Sequence, residues 1–333
     1  MNDPSTYRAA RDHGGEYLLS HCRSDGGVGS EERGVADYYK VTSALQVCGE
    51  NSAANRLCQW IRRHGITPEG DFGPRSPETC GYPYAYYNSW VILGAHRLGQ
   101  LDLSSRGMEF LLSFRDSESG GFFSSLTEHD NETSQDIWVV SGCGQAALAM
   151  GHIDVALGVG EWMATVMRQQ PNFPQELFSV YSRARGLYTT VDPTDPIRYV
   201  AHQNASGDQY VFNPGIAAGF LCRLYQATSQ IQWLELAKEY MRFAEGMDRH
   251  LFKLLRAGKV GWAASLLLTL TGEEKYADLA RRVGDDLLET QKADGSWTLF
   301  GGYQVDVTAE MVFWLDEIQQ ALTEYAGRAT TTN

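Results

Sequence analysis

Several short stretches of this 333-residue sequence place aromatic side chains beside carboxyl, amide or ammonium groups. Asp136 and Asp306 are candidate catalytic acids, because a carboxyl group held among apolar neighbours has a raised pKa and can donate a proton. Tyr87 is a third candidate catalytic residue, since a phenol can polarise a carbonyl group by donating a hydrogen bond. The candidate substrate-binding residues are Tyr38, Tyr39, Tyr86, Asn88, Trp90, Trp138, Tyr210, Asn213, Trp262 and Tyr303.

Structural roles compete with catalysis and binding at several of these positions. Asp136 and Asp306 come just before apolar stretches that are predicted as helices, and Asp is a preferred N-cap residue. At Asp306 we favour the cap over the acid, whereas at Asp136 the two roles have equal weight. Packing in the core is the alternative role for Trp138 and Trp262.

An internal repeat is predicted to position these side chains. Glycine follows an apolar helix end at Gly49, Gly99, Gly151 and Gly272, as expected for a residue that ends a helix in the left-handed conformation. Between these positions each unit consists of a helix, a glycine-rich loop and a second, more apolar helix. A helix that is apolar on nearly all sides is buried, so the second helices should form an inner ring and the first helices an outer ring.

The repeat predicts an all-α fold, a single (α/α)6 barrel or toroid of six helical hairpins formed by residues 1–333. A closed ring leaves no exposed apolar end, whereas an open array of repeats needs polar capping units. The fourth hairpin carries an insertion at about 171–214, marked by Pro, Asp, Asn and Gly. The hairpins are predicted at about 7–49, 51–99, 101–151, 153–229, 231–271 and 273–325.

The last repeat resembles the QW repeat of terpenoid cyclases, with Gln291, Gly295 and Trp297 at the key positions. The stretch 106–123 is a degenerate copy. The chain therefore resembles the α/α-toroid superfamily of terpenoid (squalene-type) cyclases and protein prenyltransferases, which implies the toroid fold and makes Trp297 a packing residue. It is a divergent member, because the sequence lacks both the Asp-x-Asp-Asp acid motif and the Asp, Cys and His zinc ligands of those enzymes. Asp285 and Asp286 are interpreted as a solvated acidic helix face.

Composition excludes several classes of partner. The net charge of −13 argues against nucleic acid and anionic membranes, which repel an acidic protein. No apolar run is long enough to span a membrane. The six cysteines stand singly, without metal-ligand spacing, and are typical of a reducing compartment, so we expect a cytoplasmic protein without a metal or other cofactor.

The leading functional hypothesis is a cyclase or isomerase of natural-product biosynthesis, acting on a small apolar substrate. It would fold and cyclise a polyene terpenoid or polyketide intermediate, in a pericyclic reaction of Diels-Alder type or by acid catalysis, inside an aromatic-lined central cavity. The alternative is a carbohydrate-active (α/α)6 hydrolase, lyase or epimerase with paired carboxylates drawn from Asp71, Asp136, Asp208 and Asp306. A non-catalytic binding protein is a third possibility.

Overall fold

Apolar residues at helical spacing make most of the chain helical, and the computed structural model describes residues 2–299 and 304–331. The helices are α1 (Pro4–Ser20), α2 (Val35–Tyr38), α3 (Val41–Val47), α4 (Asn51–Trp60), α5 (Tyr84–Arg97), α6 (Leu101–Leu112), α7 (Ile137–Ala149), α8 (Ile153–Arg168), α9 (Pro196–Tyr199), α10 (Asn213–Thr228), α11 (Ile231–Glu245), α12 (Gly258–Thr271), α13 (Glu274–Thr290) and α14 (Val305–Thr331). The short strands are β1 (Gln135–Asp136), β2 (Glu176–Phe178), β3 (Val180–Ser182), β4 (Gly186–Leu187) and β5 (Val200–His202).

The chain divides into two compact units, which are described separately. The first unit consists of Arg11–Val159 and Lys292–Phe313. The second unit consists of the residues up to Ala10, Gly160–Gln291 and the chain from Trp314 onward. Three of the four boundaries fall within α1, α8 and α14, so each of these helices contributes to both units. A single domain spanning residues 1–333 stays a prediction.

Left-handed residues follow α3, α5, α7, α10 and α12, each of which is the second helix of a predicted hairpin. Ser229 ends α10 with a φ of 58°, and glycines with φ between 69° and 83° follow the others. A methyl group on any of these glycines would meet no atom within 4 Å, so backbone conformation rather than space explains the residue type. The glycines that marked the repeat in the sequence are therefore helix ends.

In the first unit, α3 packs on α4 and α5, and α5 packs on α6 and α7. The first helices bury one face: α6 buries Leu103, Gly107, Met108 and Leu111, at helical spacing. The second helices α5 and α7 are buried over most of their length. The difference in burial between first and second helices matches the predicted pattern.

A repeated glycine contact joins successive hairpins of the first unit. Gly26, Gly70, Gly120 and Gly295 all have φ between 83° and 98°, and a Cβ atom on each would lie within 3 Å of a backbone carbonyl oxygen. These oxygens belong to α4, α6, α8 and α1 respectively, through Arg56, Arg106, Gly158 and His13. The last glycine-rich loop therefore lies against the first helix of the chain.

The QW-like residues Gln291 and Trp297 also connect the last repeat to α1. Gln291 Nε2, in the second unit, donates a hydrogen bond of 2.8 Å to the carbonyl oxygen of Ala10 in α1. In the first unit, Trp297 is fully buried beside Gly14, where a Cβ atom would come within 2.9 Å of the indole ring. Both residues attach the last repeat to α1, and the packing role predicted for Trp297 follows from its burial.

In the second unit, α10 packs on α11 and α12, and α12 packs on α13. Between α8 and α10 the chain forms β2–β5 and α9. Strands β2 and β5 pair in antiparallel register, with Leu177 opposite Ala201, and β3 and β4 form a second antiparallel pair.

The interpretation of Asp285 and Asp286 as a solvated acidic face is wrong for Asp286. Its side chain is buried and accepts two hydrogen bonds from the Arg249 guanidinium group. Asp285 accepts a hydrogen bond of 2.6 Å from the Tyr7 hydroxyl group. Both carboxyl groups therefore bond to residues that are distant in sequence. Helical periodicity alone does not reveal such partners.

Candidate functional site

A buried cluster of one lysine and two carboxyl groups lies in the first unit. Lys40 precedes α3, and Asp306 and Glu310 lie one turn apart on the same face of α14. The Lys40 ammonium group pairs with Glu310 Oε2 and lies 3.8 Å from Asp306 Oδ2. Lys40 is 3% exposed and Glu310 is 8% exposed. Buried charges of this kind are stable only when they are paired.

The surroundings of Asp306 favour its protonated form. Burial raises the pKa of Asp306 above its ordinary value of 3.8, the Lys40 charge lowers it, and the Glu310 charge raises it again; the charges of Arg33 and Asp37 contribute in opposite directions. The Tyr39 hydroxyl group lies 3.4 Å from Asp306 Oδ2. Asp306 Oδ1 is buried and has no hydrogen-bond partner among the described residues. A carboxyl group in this state can hold a proton and deliver it to a bound molecule.

The N-cap role predicted for Asp306 is wrong. Helix α14 begins at Val305, so Asp306 lies inside its first turn. Its carboxyl group faces Lys40 and Tyr39, and no backbone N–H group of the described chain donates to it. Asp306 can still complement the positive end of the helix dipole.

Asp136, in contrast, is an N-cap. Its Oδ1 accepts a hydrogen bond of 2.9 Å from the backbone N–H group of Val139 in α7, and its Oδ2 accepts one of 2.8 Å from the Ser124 hydroxyl group. The side chain is 2% exposed. Both carboxylate oxygens therefore have structural partners, and a catalytic role for Asp136 stays a prediction.

A group of aromatic rings adjoins the carboxyl cluster through Tyr39. The rings of Tyr39 and Tyr87 pack edge to face with centroids 4.7 Å apart. The Tyr86 ring lies 6.3 Å from the Tyr39 ring, 5.0 Å from that of Trp138 and 6.4 Å from that of Trp90. Burial raises the pKa values of Tyr39 and Tyr86 well above the ordinary value of 10.0, so both phenols stay neutral hydrogen-bond donors. The structure thus brings together five aromatic residues that the sequence singled out, Tyr87 among them as a predicted catalytic residue.

Tyr38 and Asn88, two predicted substrate-binding residues, hold the loop between α4 and α5. The Tyr38 hydroxyl group donates to the carbonyl oxygens of Gly65 and Gly73. Asn88 Oδ1 accepts a hydrogen bond of 3.1 Å from the N–H group of Phe72. Asn88 Nδ2 is buried without a hydrogen-bond partner in the described part of the chain. Substrate contact by these two residues stays a prediction.

Three further predicted binding residues belong to the second unit. Tyr210 packs on Phe212 with ring centroids 4.9 Å apart. Asn213 is buried at the first position of α10. Trp262 packs on Trp314 with ring centroids 4.9 Å apart. Tyr303 lies outside the described residues.

Sequence reasoning did not single out Lys40 as a site residue. The available signal was a lysine in the mostly apolar stretch 35–45, which the structure buries completely. A lysine in such a stretch must be paired, but spacing does not identify its partner.

No group of three or more His, Cys, Asp or Glu side chains that could hold a metal ion occurs among residues 2–299 and 304–331. Within the same ranges, no helix is both long and apolar enough to cross a membrane.

Solved structures match the chain along nearly its whole length and show its fold class, which is all-α and of the (α/α)6 toroid type. A D-mannose isomerase matches with a TM-score of 0.70 at 13% identity, over 95% of this chain and 97% of that chain. The family 76 α-1,6-mannanase of Salegentibacter sp. HEL1_6, bound to α-1,6-mannotetrose, has a TM-score of 0.66 at 11% identity, over 95% and 99% of the two chains. A type II terpene cyclase from Scytonema, bound to geranylgeranyl dihydroxybenzoate, has a TM-score of 0.61 at 10% identity, over 96% and 99%.

The terpene cyclase among these neighbours shares the toroid fold that the resemblance of the last repeat implied. No protein-family model matches the sequence, and no curated protein matches it.

Proposed function

We propose that this protein is an enzyme that transfers a proton to a carbohydrate substrate, with Asp306 as the general acid. The observation that carries the proposal is the buried cluster, in which Asp306 has a raised pKa and an oxygen without a hydrogen-bond partner among the described residues, beside an ion-paired second carboxyl group. Paired carboxyl groups whose environments differ are the usual arrangement for acid–base chemistry on sugars.

Lys40 has two roles in this proposal. Its ammonium group is close to both carboxyl groups, so it can stabilise the carboxylate that Asp306 becomes when it has given its proton to a substrate oxygen. Its pairing with Glu310 also fixes the Lys40 side chain against the face of α14 that carries Asp306. The proton donor and the charge-stabilising group are therefore held on neighbouring elements before substrate arrives.

The nature of the cluster favours a hydroxylated substrate over a hydrocarbon. Sugar hydroxyl groups can bond to Asp306 Oδ1 and to the Lys40 ammonium group, whereas a polyene offers these groups no partner. The partly exposed Tyr87 ring can pack against the C–H face of a pyranose. The fold supports the proposal, because D-mannose isomerase and an α-1,6-mannanase share it.

The test is an activity screen followed by a pair of variants. Purified protein is incubated with free hexoses in D₂O, where proton NMR detects isomerisation and deuterium incorporation, and with oligosaccharides, where released reducing ends are assayed. We expect Asp306→Asn to lower kcat/KM by about 10²–10⁴-fold. Asp102→Asn removes a carboxylate from an exposed ion pair with Arg62 and should leave kcat/KM unchanged. Wild-type turnover in the Asp306→Asn variant would contradict the proposal.

The second candidate is the cyclase or isomerase acting on an apolar polyene. The clustered aromatic rings of Tyr39, Tyr86, Tyr87, Trp90 and Trp138 favour it, since aromatic rings can stabilise a carbocation that Asp306 creates by protonation. Incubation with geranylgeranyl and polyketide polyenes, followed by mass spectrometry, tests this candidate. Acid-initiated cyclisation should be lost in Asp306→Asn, whereas a pericyclic reaction should persist in it.

A further inference from the structure

The two oxygen atoms of the Asp306 carboxyl group have different surroundings. The Tyr39 hydroxyl group donates a hydrogen bond of 3.4 Å to Oδ2, and the Lys40 ammonium group lies 3.8 Å from the same oxygen. Oδ1 is buried and has no hydrogen-bond partner among residues 2–299 and 304–331. Both neighbouring donors therefore lie at Oδ2, and neither lies at Oδ1.

The Tyr39 side chain is held in place by its ring. It is 4% exposed, and its ring packs edge to face on those of Tyr87 and Tyr86, with centroids 4.7 and 6.3 Å away. The Lys40 ammonium group lies 4.6 Å from the centroid of the Tyr39 ring. Asp306 Oδ2 is the acceptor that the described chain offers to the Tyr39 hydroxyl group. Burial raises the pKa of Tyr39 well above 10.0, so this hydroxyl group keeps its proton.

These contacts distinguish the two positions that the proton of a neutral Asp306 can take. A proton on Oδ2 would face an ammonium group, which has no acceptor, and would force the Tyr39 hydroxyl group to turn its own proton away. A proton on Oδ1 leaves Oδ2 as a carbonyl oxygen that accepts from Tyr39 and faces the Lys40 charge. We propose that Tyr39 is a positioning residue that, together with Lys40, keeps the proton of Asp306 on Oδ1.

This position has a consequence for proton transfer. In the proposed reaction the Oδ1–H bond breaks, the proton moves to a substrate oxygen, and the electron pair of the bond stays on Asp306. The new negative charge is shared with Oδ2, where the Tyr39 hydroxyl group and the Lys40 ammonium group already lie. The two donors can stabilise the carboxylate without moving. This step rests on the proposed function, whereas the position of the proton can be tested without a substrate.

The carbonyl stretching band of protonated Asp306 tests the inference. Infrared spectra are recorded from neutral pH down to the lowest pH at which circular dichroism shows a folded protein. Subtraction of the Asp306→Asn spectrum isolates the Asp306 band, and Tyr39→Phe/Asp306→Asn is the reference for Tyr39→Phe. The Phe side chain keeps the ring and removes only the hydroxyl group. We expect the band to move to higher wavenumber in Tyr39→Phe, because the carbonyl oxygen Oδ2 loses a hydrogen bond.

A matched variant and a labelled protein complete the experiment. Tyr240 is also fully buried, and its hydroxyl group donates a hydrogen bond of 2.9 Å to the carbonyl oxygen of Met163 in the second unit. Tyr240→Phe should therefore leave the Asp306 band in place. Labelling the otherwise unchanged protein with 3-fluorotyrosine gives a more acidic phenol, which donates a stronger hydrogen bond. The Asp306 band should then move to lower wavenumber, so the test does not depend on the folding of Tyr39→Phe.

The inference and the proposed function can fail separately. A band that stays in place both in folded Tyr39→Phe and in the fluorotyrosine protein would overturn the inference, because the carbonyl oxygen would then be Oδ1. An equal shift in Tyr240→Phe would also overturn it. If turnover of sugars requires Asp306 but its band does not respond to Tyr39, the inference alone is wrong. If the band responds as expected but no sugar is turned over, the proposed function is wrong and the positioning role of Tyr39 is supported.

Discussion

Replacing Lys40 by Met should strongly destabilise the protein, because it removes one partner of a buried ion pair. Lys40 and Glu310 are 3% and 8% exposed, so water cannot solvate the Glu310 carboxylate that remains. Breaking such a pair costs about 3–5 kcal/mol of unfolding free energy. The Lys40 charge lowers the pKa of Asp306, so this pKa should rise further in the variant.

The double variant Lys40→Met/Glu310→Leu separates a broken pair from lost packing. Replacing a buried ion pair by apolar residues of similar volume is often neutral or stabilising, so we expect the double variant to recover most of the lost stability. Urea unfolding followed by circular dichroism measures all four proteins of the cycle. Arg62→Met, which breaks an exposed pair with Asp102 in the same unit, serves as the control and should cost about 1 kcal/mol at most.

Two results would refute this reasoning. A loss below about 1 kcal/mol in Lys40→Met would mean that the ammonium group is solvated. A double variant as unstable as the sum of its single changes would mean that Lys40 and Glu310 do not interact.

Three further predictions follow from the same contacts. The folded-state pKa of Asp306 lies above its ordinary value of 3.8, so the protonated carboxyl group contributes its whole stabilisation below pH 3.8, and this stabilisation is lost as pH rises through the folded-state pKa. Urea midpoints measured across pH should therefore depend less on pH in Asp306→Asn than in the wild type. An unchanged pH dependence would refute the assignment. Asp136→Ala removes the α7 cap and should lower the unfolding free energy, measured by urea unfolding, by about 1–2 kcal/mol. The folded variant should keep the wild-type rate at substrate concentrations below saturation. Loss of turnover in the folded variant would instead make Asp136 catalytic. Trp297→Ala should cost about 3–5 kcal/mol by the same measurement, because the ring is fully buried against α1, and a cost below 1 kcal/mol would remove its packing role.

The repeat was predictable from the sequence because its signals are local. Gly49, Gly99, Gly151 and Gly272 each mark a helix end, and the structure gives all of them positive φ values. The backbone conformation that requires glycine depends on a few neighbouring residues, so the requirement can be recognised in a single sequence. The fold class, which depends on this repeat, was therefore predicted correctly.

The chemistry of the candidate site was not predictable in the same way. Lys40 and Glu310 are 270 positions apart, and no spacing rule connects them. The same limit explains the error at Asp306, where a carboxyl group near a helix start resembled a cap until its long-range partners were known. At Asp136 the cap depends on Val139, three positions along the chain, so a local rule could offer the cap as one of two roles of equal weight.

The central claim is that Asp306 holds a proton and donates it, and its pKa can be measured without a substrate. Protein labelled with ¹³C at the Asp side-chain carboxyl carbon gives a resonance for Asp306 that is assigned by its loss in Asp306→Asn. Titration of this resonance with pH should give a midpoint above the ordinary value of 3.8, and in Lys40→Met the midpoint should move higher still. A midpoint at or below 3.8 in the wild-type protein would contradict the account, because Asp306 would then be an ordinary ionised carboxylate.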